Sequence, residues 1–402
     1  MRSTRVLAVV SHSLGELDVL LPLFAALKSR KDLELIIIFS VFKVWRGYLR
    51  SNFFRQCALE LNVKCRLLWL PNKFDVPKGP IASRVYRLLG GHFGASFIGA
   101  RTARTLSKLV SNADFILHES TTRPEVAKVI YPICSGSEQR VLVYHHGHSL
   151  NQVSKKPKKR LLNKEALFLL FDPQNQAWAR EMGFENQTLI GFPKFEKNWK
   201  KFVDKYVERE RKVRNTNHVV IFVRGWDDHE YYMQRPSFEE MIKELHDVVR
   251  QQLGATKIII KPHPRQKVAN LKKVLKRLDL SDLSISMEHP AVLAAGAQLA
   301  ISMWTSCVFD SLIMGVLTVE YFREPPRFRE MEPKGSLYPL VGIPSATNPI
   351  ELKLILDSHI GKTRSTLPIT DIWKNRYSAQ TIDQLFAKSS LNVVESPSAC
   401  RG

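Results

Sequence analysis

Lys261, His263 and Arg265 close a β-branched run, IIIKPHPR, and the carboxyl end of such a run is where an open α/β sheet presents groups to a ligand. Two cations around an imidazole suit a phosphate, while Pro262 and Pro264 fit equally well as strand terminators. A second stretch, ISMWTSCVFD from Ile301 to Asp310, starts as a strand and passes through Thr305 and Ser306 into an apolar segment that reads as a helix. A hydroxyl followed by the amides of a first helical turn holds a phosphate without any lysine, because those N–H groups have no intrahelical acceptor. Asp310 lies four residues beyond Ser306 on the same helical face, where it can fix the hydroxyl or a ribose-contacting loop. The run Val219 to Val223 delivers Arg224 and Gly225, a cation beside a residue that admits close approach of a phosphate. Asp227 and Asp228 follow, and a sugar-hydroxyl site, a divalent-ion site and an ordinary polar turn all fit them. Taken together, these strand ends predict a phosphate-bearing ligand.

A different chemistry is suggested by YHHGHS. Val141 to Tyr144 reads as a strand that runs into His145, His146, Gly147 and His148. Three imidazoles in four residues are hard to explain as core packing, and a neutral imidazole takes a proton near pH 7. His146 is the candidate base, with His145 and His148 as orienting or phosphate-contacting groups and Gly147 admitting a ligand. Zinc is the competing reading, but there is no HExxH helix and no nearby cysteine or carboxylate set of recognised spacing. Glu119, at the end of the run Phe115 to His118, is either a general base or a cap for the next helix. His12, between Ser11 and Ser13 at the exit of the first strand, and His92, in a glycine-rich stretch, can face an acceptor; a surface or hinge role competes for His92. The run SKKPKKR places Lys155, Lys156, Lys158, Lys159 and Arg160 together, either as a solvated loop or as a contact for anionic lipid or a negatively charged acceptor.

The elements that must position these groups alternate between short apolar runs and segments of helical periodicity. Strands are expected at Arg5 to Ser11, Leu33 to Phe39, Lys64 to Leu70, Phe115 to His118, Val141 to Tyr144, Leu167 to Phe171 and Thr188 to Gly191, with helices between them. A second set follows at Val219 to Val223, Lys257 to Lys261, Leu283 to Met287, Leu299 to Ser302 and Leu317 to Glu320. The pattern predicts an α/β chain with an amino-terminal domain over residues 1–195 and a basic linker over 196–216. A carboxyl-terminal domain over 217–375 and a helix with a mobile tail over 376–402 complete it. Residues 323–349, rich in proline, glycine and charge, read as loop. No GxGxxG fingerprint supports a nicotinamide or flavin cofactor.

The 402 residues suffice for two domains, and the formal charge of +22 predicts an anionic partner. The five cysteines form no CxxC pattern and read as buried thiols rather than a disulfide framework. The first apolar run is too short for a secretory signal, and no run reaches the roughly 18 residues of a membrane-spanning helix. Any membrane attachment is therefore expected to be peripheral.

These motifs resemble those of the GT-B glycosyltransferase superfamily, and within it the bacterial CDP-glycerol glycerophosphotransferases and the capsule sialyl- and Kdo-transferases. The resemblance rests on His146–Gly147 in YHHGHS, His263–Pro264 in KPHP, and Thr305, Ser306, Phe309 and Asp310 in SMWTSCVFD. Met303 replaces the aspartate usual before the aromatic residue of the last motif, and Trp304 stands in the usual tyrosine position. The resemblance implies two Rossmann-like domains facing across a nucleotide-binding cleft, with no tightly bound cofactor. It implies transfer of a sugar or polyol-phosphate from a CDP- or CMP-activated donor to a hydroxyl acceptor, lipid-linked or polysaccharide, in cell-surface polymer or glycolipid synthesis. His146, with Glu119, would be catalytic; Arg224, Gly225, Lys261, His263, Arg265, Thr305, Ser306 and Asp310 would hold the donor. His12, His145, Gly147 and His148 would orient the acceptor, at the inner face of a membrane and without nucleic acid. UDP-sugar-dependent transfer, 2-epimerisation of a nucleotide sugar and non-catalytic polyanion binding are the alternatives.

Overall fold

The computed structural model describes residues 3–70, 91–120, 122–135, 140–145, 166–173, 175–181, 183–210, 217–227, 232–264, 266–333, 335–340, 342–359 and 377–387. They form two compact units. One holds the described residues up to Asn198 and again from Tyr377; the other holds those from Trp199 to the helix Pro349–His359.

The first unit is built on a seven-stranded sheet of β1 (Thr4–Val10), β2 (Leu33–Phe39), β3 (Lys64–Leu67), β4 (Phe115–Glu119), β5 (Arg140–Tyr144), β6 (Leu167–Leu170) and β7 (Gln187–Leu189). Its order is β3-β2-β1-β4-β5-β6-β7, and every neighbouring pair is parallel. Strands such as LELIIIF and TRVLAVV are apolar nearly without alternation because helices cover both faces of a parallel sheet. One core layer joins Leu7, Val9, Ile36, Ile38, Ile116 and Val143 to Leu106, Val126 and Ile130 of the helices Gly91–Ser111 and Pro124–Cys134. The helix Ala379–Leu385 packs on the helix Leu17–Ala26 of this unit, and the tilted rings of Phe386 and Phe115 meet with centroids 5.0 Å apart. The chain moves outward from β1 through β2 to β3, then returns to the other side of β1 with β4. That reversal makes the gap beyond the carboxyl ends of β1 and β4 the switch point, the place where such sheets accommodate ligands.

In the second unit the strands are β8 (His218–Val223), β9 (Ile258–Pro262), β10 (Ser284–Ile285), β11 (Ala297–Met303), β12 (Leu317–Tyr321) and β13 (Ser345–Ala346). They run parallel in the order β10-β9-β8-β11-β12-β13, which puts the switch point between β8 and β11. The helix Arg235–Leu253 buries Phe238, Met241, Ile242, Leu245 and Val249, the spacing of one helical face, and stops at Gly254 with φ of +61°. Within the basic stretch 196–216 the chain is helical over Lys197–Glu210 and buries Trp199, Phe202, Val203 and Tyr206.

The strands stand close to the expected runs, but two regions differ. Residues 323–349 are not loop throughout: they contain the turns of helix Phe328–Met331 and Leu337–Leu340 and the edge strand β13. Two residues of strand carry no readable alternation, and β13 exists because β12 offers it a parallel partner. The helix Phe42–Arg50 is also absent from the sequence reading. It has only nine residues, little more than two turns, and so repeats its apolar stripe too few times to stand out. Among the described residues, no helix is long and apolar enough to cross a membrane.

Candidate functional site

In the first unit, β1 ends in Ser11, His12 and Ser13, whose amides would be left without acceptors as the chain turns toward its first helix. The buried carboxylate of Glu16 takes all three: its oxygens accept from Ser11 N at 3.1 and 3.2 Å, His12 N at 2.6 Å and Ser13 N at 3.0 Å. Ser13 reciprocates in a capping box, so the turn is rigid and the exposed His12 is held at the switch point. Ser11 Oγ meets Thr122 Oγ1 at 3.0 Å, joining the exits of β1 and β4.

Alternation along β4 separates His118 from Glu119. His118 is fully buried, with Nδ1 2.9 Å from the Glu119 carbonyl and Nε2 2.9 Å from the Tyr131 hydroxyl. A carbonyl can only accept, so Nδ1 carries the proton and Nε2 accepts from Tyr131; burial holds its pKa below the ordinary imidazole value. It is a neutral core residue. Glu119, also fully buried, faces His145 at the end of the neighbouring β5. Its Oε1 lies 3.1 Å from His145 Nδ1 and accepts from Ser120 Oγ at 2.9 Å, and Ser120 Oγ is itself 2.9 Å from Nδ1. A carboxylate on Nδ1 fixes the tautomer that makes Nε2 the basic nitrogen. Burial, with the charges of Glu16 and Glu119 nearby, drives the Tyr144 phenol far above its ordinary pKa.

Glu119 therefore orients an imidazole, and the helix Pro124–Cys134 that follows is capped at Arg123 without a side chain. The imidazole it orients is His145; His146, Gly147, His148 and the basic run 155–160 lie outside the described residues. His92 falls in the helix Gly91–Ser111.

In the second unit the switch point is flanked by Arg224 after β8 and Trp304 after β11. Tyr232 and Trp304 stack with centroids 4.5 Å apart, and the Arg224 guanidinium lies 4.9 Å from each ring centroid. Trp304 has φ of +52°, a left-handed conformation that a bulky side chain adopts only when its surroundings enforce it. Here Ser302 Oγ accepts from Thr305 N at 3.0 Å and donates to Thr305 O at 3.2 Å, while Phe328 meets the indole edge to face at 5.0 Å. Glu332 is buried nearby; burial pushes its carboxyl up to about 7, with the charge of Arg224 pulling the other way. Sequence reasoning missed Tyr232 and Glu332, and no local signal marks either.

A Cβ at Gly225 would stand 2.9 Å from Gln266 Oε1, so any side chain there must displace the end of Gln266. Gln266 Oε1 accepts from Trp226 N at 3.1 Å and its Nε2 donates to Asp227 at 2.8 Å. Asp227 also accepts from Lys267 N at 2.9 Å and Asn270 Nδ2 at 3.0 Å, so it latches the start of the helix Val268–Arg277. That is the polar-turn reading of Asp227; Asp228 lies outside the described residues. Lys261 is buried with Nζ donating to the Pro262 carbonyl at 3.2 Å, and His263 N donates to Val223 O at 3.1 Å, extending the β8–β9 pairing by one residue. Arg265 lies outside the described residues. Thr305 Oγ1 accepts from Cys307 N at 3.3 Å, Ser306 is half-buried, and Asp310 is buried within the six-residue helix Val308–Ile313. A cavity of about 310 Å³ opens beside the β8 exit, lined by Trp226, Met233, Gln234, Arg235 and Pro236. Among the described residues, no group of three histidine, cysteine or carboxylate side chains is arranged to hold a metal ion.

No protein-family model matches the chain, and no curated protein matches it. Solved structures do. The UDP-GlcNAc 2-epimerase of Methanocaldococcus jannaschii has a TM-score of 0.57 at 13% identity, covering 95% of this chain and 99% of its own. Alr3699/HepE of Anabaena, solved with UDP and glucose, has 0.53 at 13% identity, covering 97% of this chain and 100% of its own. A glycosyltransferase from Rickettsia africae has 0.52 at 11% identity, covering 97% and 96%. The two parallel α/β units thus have the GT-B-like fold seen in glycosyltransferases and epimerases. The expected cytidine-nucleotide donor is corrected by the same findings, because two of these three similar structures are a UDP-GlcNAc 2-epimerase and a protein solved with UDP and glucose. The short motifs that suggested cytidine offer groups suited to a phosphate, which cytidine and uridine nucleotides share.

Proposed function

We propose that the chain is a UDP-sugar-dependent glycosyltransferase in which His145 is the general base and Glu119 fixes its tautomer. The observation that carries this reading is the 3.1 Å contact of Glu119 Oε1 with His145 Nδ1 beyond the carboxyl ends of β4 and β5. His145 Nε2 takes the proton of an acceptor hydroxyl, and the oxygen bonds to the anomeric carbon. The bond from that carbon to the diphosphate breaks, and UDP departs with the electron pair. His146, which follows His145 in the sequence, and His12 are assigned to the acceptor in this reading. In the second unit Arg224, Lys261, His263 and Arg265 counter the diphosphate charge, and Gly225, Thr305, Ser306 and Asp310 shape its surroundings. Residues 1–195 and 217–375 are the acceptor-side and donor-side domains of this reading.

The test is a nucleotide panel of UDP, CDP, CMP and GDP read by thermal shift and calorimetry, followed by UDP release from UDP-sugars in the presence of hydroxyl acceptors. Selective stabilisation by UDP and acceptor-dependent UDP release are expected. Stabilisation by GDP alone, or by none of the four, overturns the reading. A second reading, 2-epimerisation of a UDP-sugar, rests on the likeness of the fold to a UDP-GlcNAc 2-epimerase. Formation of an epimeric UDP-sugar without any acceptor would select it.

A further inference from the structure

The helix Phe42–Arg50, which leaves the carboxyl end of β2, has three functional sides. Val44 and Tyr48 are buried, and Tyr48 packs on Phe39 of β2 at 5.0 Å, with Trp45 on Phe39 at 5.1 Å. Phe42, Trp45 and Leu49, at the i, i+3, i+7 spacing of one face, form a seam beside that anchor. Phe42 is 54% exposed, Leu49 47%, and Leu59 of the adjoining helix Asn52–Glu60 is 75% exposed. Between the two helices lies a groove of about 430 Å³, lined by Trp45, Tyr48, Leu49, Ala58 and Leu59 among others.

Lys43, Arg46 and Arg50 occupy the flank next to the seam, Arg55 follows on the second helix, and no acidic residue occurs between Phe42 and Leu59. None of these four cations belongs to an ion pair within the described residues. An exposed aromatic and aliphatic seam with cations along one side, on a helix too short to span, is the pattern of an element lying in a bilayer interface.

The geometry points to this face, Phe42 to Leu59, as a docking surface for an anionic lipid bilayer, with Phe42, Trp45 and Leu49 entering the headgroup region and the groove receiving part of an acyl chain. The charge complementarity selects the occupant: an apolar seam alone would suit any greasy partner, while four cations that make no ion pair within the described residues select a negatively charged one. The surface is coupled to the first unit's switch point, because Gly47 lets the helix lie against Leu14, where an added Cβ would stand 3.0 Å from Leu14 Cδ1. Leu14 begins the turn that holds His12. Docking would therefore bring lipid-borne hydroxyl compounds to the rim of that site. The proposal does not depend on the nucleotide or on the transfer reaction.

Co-sedimentation of the full chain with vesicles of phosphatidylcholine, with and without phosphatidylglycerol, tests it. Binding is expected only with phosphatidylglycerol and is expected to weaken in high salt. Phe42→Ser with Leu49→Ser should abolish most of it, and Arg46→Gln with Arg50→Gln should lower partitioning roughly fivefold per charge. These side chains are exposed, and unchanged thermal melting and far-ultraviolet circular dichroism would establish that the variants fold. Leu354→Ser, on an equally exposed leucine of the second unit, should leave binding intact. No binding to phosphatidylglycerol vesicles by the unmodified chain overturns the proposal. So does an equal loss in Leu354→Ser, or loss on neutralising the basic run at 155–160 with no effect from the helix variants.

Discussion

Oε1 of Glu119 lies 3.1 Å from Nδ1 of His145, joining the carboxyl ends of two adjacent parallel strands. Glu119 has no solvent exposure, whereas the His145 side chain retains 17%. A buried carboxylate behind a partly exposed imidazole is an orienting arrangement, and it separates the roles of the two residues. His145→Gln removes the proton acceptor; Glu119→Gln leaves the imidazole but releases its tautomer. Both are expected to lower kcat for sugar transfer, His145→Gln by about 10²–10⁴-fold. Steady-state UDP release checks this, and a fully active His145→Gln protein would remove His145 as the base.

The Arg224 guanidinium lies 4.9 Å from the centroids of both Tyr232 and Trp304, a contact of a delocalised cation with two rings that a lysine ammonium does not reproduce. Arg224→Lys should therefore weaken UDP binding despite keeping the charge, by roughly tenfold for a lost charge-assisted contact of about 1.5 kcal/mol. Calorimetric titration with UDP measures it. An unchanged Kd would mean that Arg224 serves the aromatic cluster and not the nucleotide.

Burial of Glu320 between Ser336 and Ser345 gives a pH dependence of stability. Burial is the main cause that raises its carboxyl from 4.5 to about 7, and the hydrogen bonds from the two serine hydroxyls, at 2.6 and 3.0 Å, oppose it only in part. A raised folded-state pKa means that the native protein binds more protons than the unfolded chain between these values, so stability falls as pH rises through them. Glu332, raised to about 7 for the same reason, adds in the same direction. Thermal melting across this range should show the fall, and Glu320→Gln should flatten it. A slope unaffected by Glu320→Gln would assign the titration elsewhere.

Asp227 accepts three hydrogen bonds at the start of the helix Val268–Arg277, from Gln266 Nε2, Lys267 N and Asn270 Nδ2. Asp227→Ala should cost about 0.5–2 kcal/mol, the range for a lost helix cap. Chemical denaturation checks it. If Asp227 were a ligand group instead, the substitution would weaken nucleotide binding with little change in stability.

Overfilling Gly225 should act through the same latch. Gly225→Val drives Gln266 away from the Trp226 amide, and a loss of about 1–3 kcal/mol is expected for overpacking. Gly225→Ala should cost less, because the contact at 2.9 Å is to the end of a flexible side chain. Denaturation midpoints of the two variants, ranked against the unmodified chain, check the order.

By itself the sequence determined the strands other than β13 and the class of fold. LELIIIF, HVVIFV and AQLAISM are apolar along their length because a parallel sheet is covered on both faces, and that property is written in adjacent residues. It also determined that Lys261, His263 and Arg224 would stand at strand ends. Only the tertiary structure decided which histidine Glu119 would meet, since His145 is 26 residues away and is brought to it by the register of β4 on β5. It alone decided that Tyr232 would stack on Trp304 beneath Arg224, and that Glu320 would be buried. The reason is range: backbone pattern records what a residue's immediate neighbours allow, whereas pairing across a sheet depends on strand order and register. Local sequence encodes those only through the packing of the whole unit.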